Sequence, residues 1–170
     1  MSLSATRIFS RPATGYLTRA ALLAGFYSLS MLLGAWAFQY IGGLAPCEMC
    51  IWQRWPHAAA IWLGIGGGWL GASRILPREA LRGVAWAAVL AVALTGAIGF
   101  FHAGVEWKFW PGPPACTGFG YVPGVSESFQ IVRCDEAQWR LFGISLAGYN
   151  AIFSLIVAGT IGTFLARKAA

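Results

Sequence analysis

Two cysteines three positions apart, Cys47 and Cys50, have side chains suited to redox chemistry. Side chains at this spacing lie on one face of a helix, within the distance that a disulfide bridges. Pro46 precedes them, and proline is common at the start of a helix. In a first helical turn, unpaired backbone N–H groups and the helix dipole favour a thiolate, which is both a nucleophile and a leaving group. The motif therefore predicts thiol–disulfide exchange at a helix N-terminus.

Arg54 follows Cys50 by four residues, so it lies one turn further along roughly the same helix face. The apolar segment begins here, and a charge at that depth needs a physical reason. A fixed cation would stabilise a thiolate or another developing negative charge. The alternative is an interfacial anchor that extends towards lipid headgroups. The spacing alone leaves both roles open.

Composition predicts the elements that hold these residues. The chain has 170 residues, of which 58% are hydrophobic and 11% are charged, and this balance indicates an all-α, polytopic membrane protein. A bilayer core needs about 20 apolar residues per helix. Four stretches meet this requirement and predict a single four-helix membrane domain with spans at about 20–43, 51–71, 83–103 and 141–166. The basic residues behind the net charge of +6 are dispersed, which argues against nucleic-acid binding.

Charge asymmetry predicts the orientation of the spans. One side carries eight basic residues, namely Arg7, Arg11, Arg19, Arg74, Arg78, Arg82, Arg167 and Lys168. The other side carries Arg54, Lys108, Arg133 and Arg140 together with most of the acidic residues. Because cytoplasmic loops are enriched in Lys and Arg, both termini are predicted to be cytoplasmic. The loops at about 44–50 and 104–140 then face outward, into the periplasm if the membrane is a bacterial inner membrane.

All four cysteines, including Cys116 and Cys134, fall in these two outward loops. Disulfides persist outside a bacterial inner membrane, so two structural disulfides are one interpretation. However, a bridge between Cys47 and Cys50 encloses only two residues and restricts the unfolded chain little, whereas this spacing favours redox exchange. A zinc site made by all four cysteines is a further alternative. Such sites usually pair two short-spaced cysteine motifs, and the second pair here is 18 positions apart.

These features together resemble the DsbB (disulfide bond formation protein B) family. The resemblance covers nearly the whole chain and rests on the four predicted helices, Pro46-Cys47-x-x-Cys50 with Arg54, the later pair Cys116 and Cys134, and the segment from Cys134 through Gln138-Trp139 to Phe142-Gly143. It implies an inner-membrane thiol:quinone oxidoreductase that sustains disulfide formation in exported proteins. The relay of DsbA, DsbB and quinone keeps the bacterial periplasm oxidising.

The resemblance also implies a role for each residue of the site. A reduced, thioredoxin-like partner of the DsbA type would attack the Cys116–Cys134 disulfide, at Cys116. Cys47 and Cys50 would reoxidise that pair and pass two electrons to ubiquinone or menaquinone, with Cys50 in contact with the quinone. Arg54 and His102 would bind the quinone, and no metal is expected. Between Cys116 and Cys134, the apolar character of the loop predicts a short surface helix over about 125–131.

Overall fold

The computed structural model describes residues 14–117 and 132–169, and within them the chain is mostly helical. The helices are α1 (Gly15–Tyr40), α2 (Glu48–Ile61), a π-helical segment (Trp62–Gly66), α3 (Gly67–Ala72), α4 (Arg78–Glu106), α5 (Pro114–Thr117) and α6 (Leu146–Ala169). Two short strands, β1 (Arg140–Leu141) and β2 (Ile144–Ser145), precede α6. The surface helix predicted over 125–131 lies outside the described residues.

Three helices are long and apolar enough to cross a bilayer: Gly15–Tyr40, Arg78–Glu106 and Leu146–Lys168. Their outward faces carry large apolar side chains, such as Phe26 on α1, Leu90 on α4 and Ile156 on α6, each more than half exposed. An apolar surface of this extent on a folded chain is normally covered by lipid or by protein. The helices thus have the length and surface of a membrane protein.

The second predicted span, 51–71, falls on an interrupted helix. Residues 48–72 form one run of helical backbone, but a π-helical segment separates α2 from α3. Gly64 lies in this segment, and a Cβ there would stand 2.7 Å from the Gly25 Cα on α1. The glycines therefore let the two backbones approach where the hydrogen-bond pattern changes. Neither α2 nor α3 is as long as a bilayer span by itself, so the four-span architecture remains a prediction.

The last helix begins at Leu146 and not at about 141, where the sequence pattern predicted it. Residues 140–145 instead form an antiparallel hairpin in which Arg140 pairs with Ser145 and Leu141 with Ile144. Phe142 (φ 49°) and Gly143 (φ 79°) form the turn. Two successive positive φ angles are the signature of a type I′ turn, which suits a two-residue hairpin. The apolar residues of this segment extended the predicted helix because hydropathy does not distinguish a strand from a helix.

The core of the bundle is built around α4, which packs against α1, α2 and α6. Small and medium side chains fill it, including Ala21 and Ala24 of α1, Ala85 and Ala88 of α4, and Leu165 of α6. Alanine at these contacts lets helices approach closely, which favours association in lipid. The packing holds the start of α2 and the end of α4 together, and both cysteine pairs lie at that end of the bundle.

Candidate functional site

The Cys47–Cys50 pair occupies the first turn of α2, as the sequence predicted. Cys47 is the N-cap residue with an extended backbone (φ −76°, ψ 171°), and its Sγ accepts a hydrogen bond from the Cys50 backbone N–H at 3.2 Å. Pro46 disfavours a helical conformation in the residue before it, so the helix does not extend further towards the N-terminus. An N-cap normally uses an oxygen for this contact, and here a sulfur takes its place.

The two sulfurs of this pair have different charge preferences. Both residues are thiols in the structure, and their Sγ atoms lie 2.7 Å apart. The hydrogen bond to Cys50, followed by burial, raises the pKa of the Cys47 thiol. The hydrogen bond from Cys47 lowers the pKa of Cys50 against the opposing effect of burial, and the charge of Arg54 lowers it slightly further. The pair therefore stabilises negative charge on Cys50.

The second pair forms a disulfide that packs directly against the first. Cys116 and Cys134 are bonded at an S–S distance of 2.05 Å, and the Cys134 backbone N–H donates to the Cys116 carbonyl at 2.9 Å. Cys47, Cys116, Cys134 and Val105 belong to one buried cluster. Cys116 is only 3% exposed and Cys134 is fully buried, although the sequence placed them in a loop open to a partner. Access to Cys116 from outside therefore requires this packing to open.

His102, near the end of α4, lies at the junction of the two pairs. Its Nε2 lies 3.1 Å from the Cys134 carbonyl oxygen and 3.7 Å from Cys47 Sγ. The same nitrogen lies 3.7 Å from a carboxylate oxygen of Glu106, and that carboxylate also accepts a hydrogen bond from the Ser145 hydroxyl. His102 thus contacts both cysteine pairs, which the sequence did not indicate.

Charged side chains fix the segment that carries Cys134. Asp135 accepts hydrogen bonds from Lys108 at 2.5 Å and from Arg133 at 2.7 Å and 3.0 Å. Arg133, with a smaller contribution from Lys108, lowers the pKa of Asp135 to about 2. Gln138 donates to the Ala45 carbonyl at 2.6 Å, so the same segment also contacts the loop before Cys47. These contacts hold the disulfide over the start of α2.

A cavity of about 400 Å³ opens beside the thiols, between α1, α2, α4 and α6. Its size is in the range of pockets that hold a small organic ligand. Arg54 lines it together with Cys50, and its guanidinium donates to the Gln39 side chain at 2.6 Å. The lining also includes the apolar residues Met31, Ala35, Phe38, Leu146 and Phe153 and the polar residues Cys47, Gln53, His57, His102, Glu106 and Asn150. Apolar side chains thus form most of the wall, and the polar groups cluster near the sulfurs.

Three buried polar residues of this region were not predicted as site residues. Gln53, His57 and Asn150 are each less than 8% exposed and form a hydrogen-bonded network that reaches His102. Their signal in the sequence is their polarity within apolar stretches, since polar groups inside a membrane segment usually have a structural or functional reason. The sequence pattern shows that they are unusual but not that they meet.

The structure bears on the alternative of a four-cysteine zinc site. Cys116 and Cys134 are already joined to each other, so their sulfurs are not free thiolates for a metal in this state. Cys47, Cys50 and His102 are close enough to offer three ligand atoms within 4.8 Å of one another. Nε2 of His102 faces the Cys134 carbonyl, however, and a nitrogen that donates there cannot also bind a metal.

Comparisons with known proteins identify the family of the chain. A family model described as disulfide bond formation protein DsbB matches residues 18–164. Relatives named Disulfide bond formation protein B include one from Paracidovorax citrulli, 27% identical over 166 residues and covering 88% of this chain and 87% of the relative. Another from Haemophilus influenzae is 33% identical over 149 residues, and the match covers 79% of this chain and 78% of the relative.

A third relative of the same name, from Albidiferax ferrireducens, is 30% identical over 142 residues and covers 76% of this chain and 77% of the relative. No solved structure matches the chain. The family match covers most of the chain, including the two cysteine pairs, Arg54 and His102. The chain therefore belongs to the DsbB family.

Proposed function

We propose that this protein is a thiol:quinone oxidoreductase of the bacterial inner membrane, which oxidises a periplasmic dithiol carrier of the DsbA type. The general role, disulfide formation in a membrane, follows from membership of the DsbB family. The observation that carries the finer proposal is the arrangement of the site. Cys47, Cys116 and Cys134 belong to one buried cluster, and Cys50 packs against it. Cys50 and Arg54 also line an adjacent apolar cavity between the helices.

The first reaction would be exchange between the carrier and the outer pair. A carrier thiolate attacks one sulfur of the Cys116–Cys134 disulfide and forms a mixed disulfide, and the released cysteine leaves as a thiolate. The second carrier thiol then breaks the mixed disulfide, so the carrier leaves oxidised and Cys116 and Cys134 remain as two thiols. The burial of Cys116 means that docking of the carrier must accompany opening of the cluster.

The second reaction would transfer the electrons to the inner pair. A thiolate of the outer pair attacks the oxidised Cys47–Cys50 disulfide, and a second exchange restores the Cys116–Cys134 disulfide. Cys47 and Cys50 then hold two electrons and two protons as thiols, the state that the structure contains. Contact between the two pairs makes this step intramolecular, so it avoids the entropic cost of a second encounter.

The donor set of the cavity fits a quinone headgroup. An apolar wall suits the ring, Arg54 provides a cation for a carbonyl oxygen, and Cys50 is the sulfur of lower pKa. When bound, a quinone supplies an acceptor for two electrons and two protons. The chain contributes a thiolate at Cys50, a fixed positive charge at Arg54 that stabilises developing negative charge, and helices that exclude water. Ubiquinone is the proposed acceptor, with menaquinone as the alternative.

Four spans with cytoplasmic termini complete the proposal. The run of helical backbone at residues 48–72 has 25 residues, the length of a tilted span, and would be the second crossing. This arrangement leaves the loops at about 44–50 and 104–140 on the periplasmic side with all four cysteines. Quinone would then reach the cavity laterally from the membrane, and the carrier would arrive from the periplasm.

Quinone reduction by the purified protein tests the proposal. We expect the protein in detergent to consume ubiquinone, followed by ultraviolet absorbance, when it receives a reduced DsbA-type carrier. Cys47→Ser and Cys116→Ser should each abolish turnover, because each removes one pair from the relay. Folded protein that turns over neither ubiquinone nor menaquinone would contradict the proposal and favour structural disulfides.

A further inference from the structure

A row of buried hydrogen bonds connects the interior of the bundle to the thiols. Ser28 Oγ lies 3.2 Å from His57 Nδ1, and His57 Nε2 lies 3.0 Å from Asn150 Oδ1. Asn150 Nδ2 donates to Gln53 Oε1 at 2.8 Å, and Gln53 Nε2 lies 2.9 Å from His102 Nδ1. The row draws side chains from α1, α2, α4 and α6, and all five residues are buried.

Backbone carbonyls fix the orientation of the two amides in this row. Gln53 Nε2 also lies 3.1 Å from the Met49 carbonyl oxygen, which can only accept a hydrogen bond. Asn150 Nδ2 likewise lies 3.3 Å from the Thr95 carbonyl oxygen. Turning either amide over would bring an amide oxygen against a carbonyl oxygen. The amide nitrogen of Gln53 therefore has to face the Met49 carbonyl oxygen, and that of Asn150 the Thr95 carbonyl oxygen.

These fixed amides determine the tautomers of both histidines. Gln53 Nε2 donates to His102 Nδ1, so the neutral His102 ring carries its proton on Nε2. The contact on the other side of the ring requires the same tautomer, because Nε2 faces the Cys134 carbonyl oxygen, which can only accept a hydrogen bond. His57 must donate from Nε2 to Asn150 Oδ1, and its Nδ1 then accepts from the Ser28 hydroxyl. Every donor in the row thus points towards the thiols.

We propose that Gln53 and Asn150 are positioning residues that hold the His102 proton on Nε2, where the N–H faces Cys47 and the Cys134 carbonyl. With the proton in this position, the donors of the row all point towards Cys50. The end of the row is Cys47, whose sulfur accepts from His102 and lies 2.7 Å from Cys50. Hydrogen bonds aligned in this way polarise one another in a low-dielectric interior. Any effect of this row on the rate of quinone reduction rests on the proposed function.

The assignment gives His102 a specific chemical role. A neutral ring with its proton on Nε2 cannot accept a proton from Cys47 at that nitrogen, so His102 acts as a hydrogen-bond donor to the exchange centre and not as its general base. As a donor it stabilises negative charge on the sulfurs and holds the main chain of Cys134 beside Cys47. Gln53 and Asn150 act through His102 and do not touch a reacting sulfur directly.

Nitrogen-15 NMR of histidine-labelled protein reads the tautomers directly. The chain has two histidines, so two ring systems are expected, and His57→Gln assigns them. We expect both wild-type rings to be neutral with protonated Nε2 and bare Nδ1. In its ionised form, Gln53→Glu keeps the side-chain shape but offers only acceptors, so it should place a proton on His102 Nδ1. A wild-type His102 that is protonated on Nδ1, or a His102 signal in Gln53→Glu that stays unchanged up to a pH at which the new carboxyl is ionised, would overturn the proposal.

Thiol reactivity tests the consequence at Cys50 without any quinone. Gln53→Met removes the donor without adding charge, and we expect alkylation of Cys50 by iodoacetamide at neutral pH to slow about threefold to tenfold, the factor that one ordinary hydrogen bond is worth. Peptide mass spectrometry assigns the modified cysteine. Tyr149→Phe is the control, because it removes the 3.0 Å hydrogen bond to the Leu141 carbonyl oxygen, which joins no member of the row.

Equal rates for wild type and Gln53→Met, or equal slowing in Gln53→Met and Tyr149→Phe, would overturn the proposal. The first result would mean that the row does not reach Cys50, and the second that it only supports packing. Neither readout involves quinone or a carrier. Failure of this inference is therefore distinguishable from failure of the proposed function, which quinone turnover tests.

Discussion

At the scale of single residues, Cys47 and Cys50 differ because their neighbours differ. Cys47 is the N-cap, is nearly fully buried and contacts His102, whereas Cys50 is half-buried at the edge of the cavity with Arg54 one turn away. Charge on Cys50 is therefore stabilised by a hydrogen bond, a helix terminus and a cation. This asymmetry makes Cys50 the sulfur suited to face an acceptor in the cavity.

Arg54→Met should lower the rate of quinone reduction about 10- to 100-fold, the factor that a hydrogen bond to a charged group is worth. Arg54→Lys should lose less, because it keeps the charge without the planar fork. The measurement is steady-state turnover over a range of ubiquinone concentrations, which separates kcat from KM.

Gln39→Ala provides the matched control for this prediction. It leaves the Arg54 charge in place and removes only the 2.6 Å hydrogen bond that positions the guanidinium. We expect a smaller loss in the same direction as Arg54→Met. An Arg54→Met protein with unchanged turnover would assign Arg54 to the interfacial role.

Asp135 predicts a pH dependence in the acidic range. Its pKa is about 2 in the folded protein against an ordinary value of 3.8. A depressed carboxyl pKa contributes stability that is fully present above the ordinary value and is lost as pH falls through the folded value. Asp135→Asn should therefore lower the thermal unfolding midpoint near neutral pH, and its difference from wild type should shrink as pH falls from about 4 to about 2 and vanish below that. A difference that stays the same between pH 4 and pH 2 would contradict this assignment.

At the scale of elements, glycine decides how closely α1 approaches the interrupted second helix. A Cβ on Gly25 would meet Ile65 backbone N at 2.7 Å, and one on Gly64 would meet the Ala21 carbonyl oxygen at 2.5 Å. Backbone atoms cannot move aside as side-chain ends do. The contact therefore needs glycine on both helices, and it lies where α2 changes to a π-helical hydrogen-bond pattern.

Gly64→Ala should destabilise the protein by about 1–3 kcal/mol, the usual cost of overpacking. Gly66→Ala is a matched control two positions away in the same segment, where an added Cβ meets nothing within 4 Å. It should be neutral or stabilising by up to about 1 kcal/mol, because alanine loses less backbone entropy than glycine in a helix. Unfolding in detergent, followed by circular dichroism, compares the two, and equal stabilities would show that the contact is looser than the structure indicates.

The hairpin before α6 is an element that hydropathy did not predict. Ser145 caps the helix, since its hydroxyl accepts a hydrogen bond from the Gly148 N–H at 3.1 Å. Its hydroxyl also donates to Glu106, which ties the start of α6 to the end of α4 beside His102. Gly143 and Ser145 were available in the sequence as a turn signal and a cap signal, but Phe142 is not a usual residue for this turn. The apolar residues around them nevertheless led to the prediction of a helix from about residue 141.

At the scale of the whole molecule, the proposed topology follows from charge and requires residues 48–72 to cross the bilayer. Alkaline phosphatase fused after Leu76 should be inactive, and fused after Gly112 it should be active, because that enzyme folds only outside the cytoplasm. Green fluorescent protein fusions at the same sites should give the reverse pattern. An active phosphatase after Leu76 would mean that the π-interrupted helix turns back without crossing.

The sequence by itself determined the chemistry and the membrane class. Cysteine spacing, the arginine one turn later and four apolar stretches are local features, and each depends on neighbours within a few turns. The same features supported the resemblance to the DsbB family, which the family match confirmed. The four cysteines were predicted as the reactive groups without any tertiary information.

Only the tertiary structure decided which distant groups meet. His102 lies 55 positions from Cys47, and Asn150 lies 97 from Gln53, yet each pair is in hydrogen-bond contact. Sequence periodicity assigns a residue to a helix face but not to the partner opposite, because helix packing sets that through side-chain shape along the whole contact. The burial of the Cys116–Cys134 disulfide and the direction of the row of donors follow from such contacts, so they became visible only once the four helices were packed together.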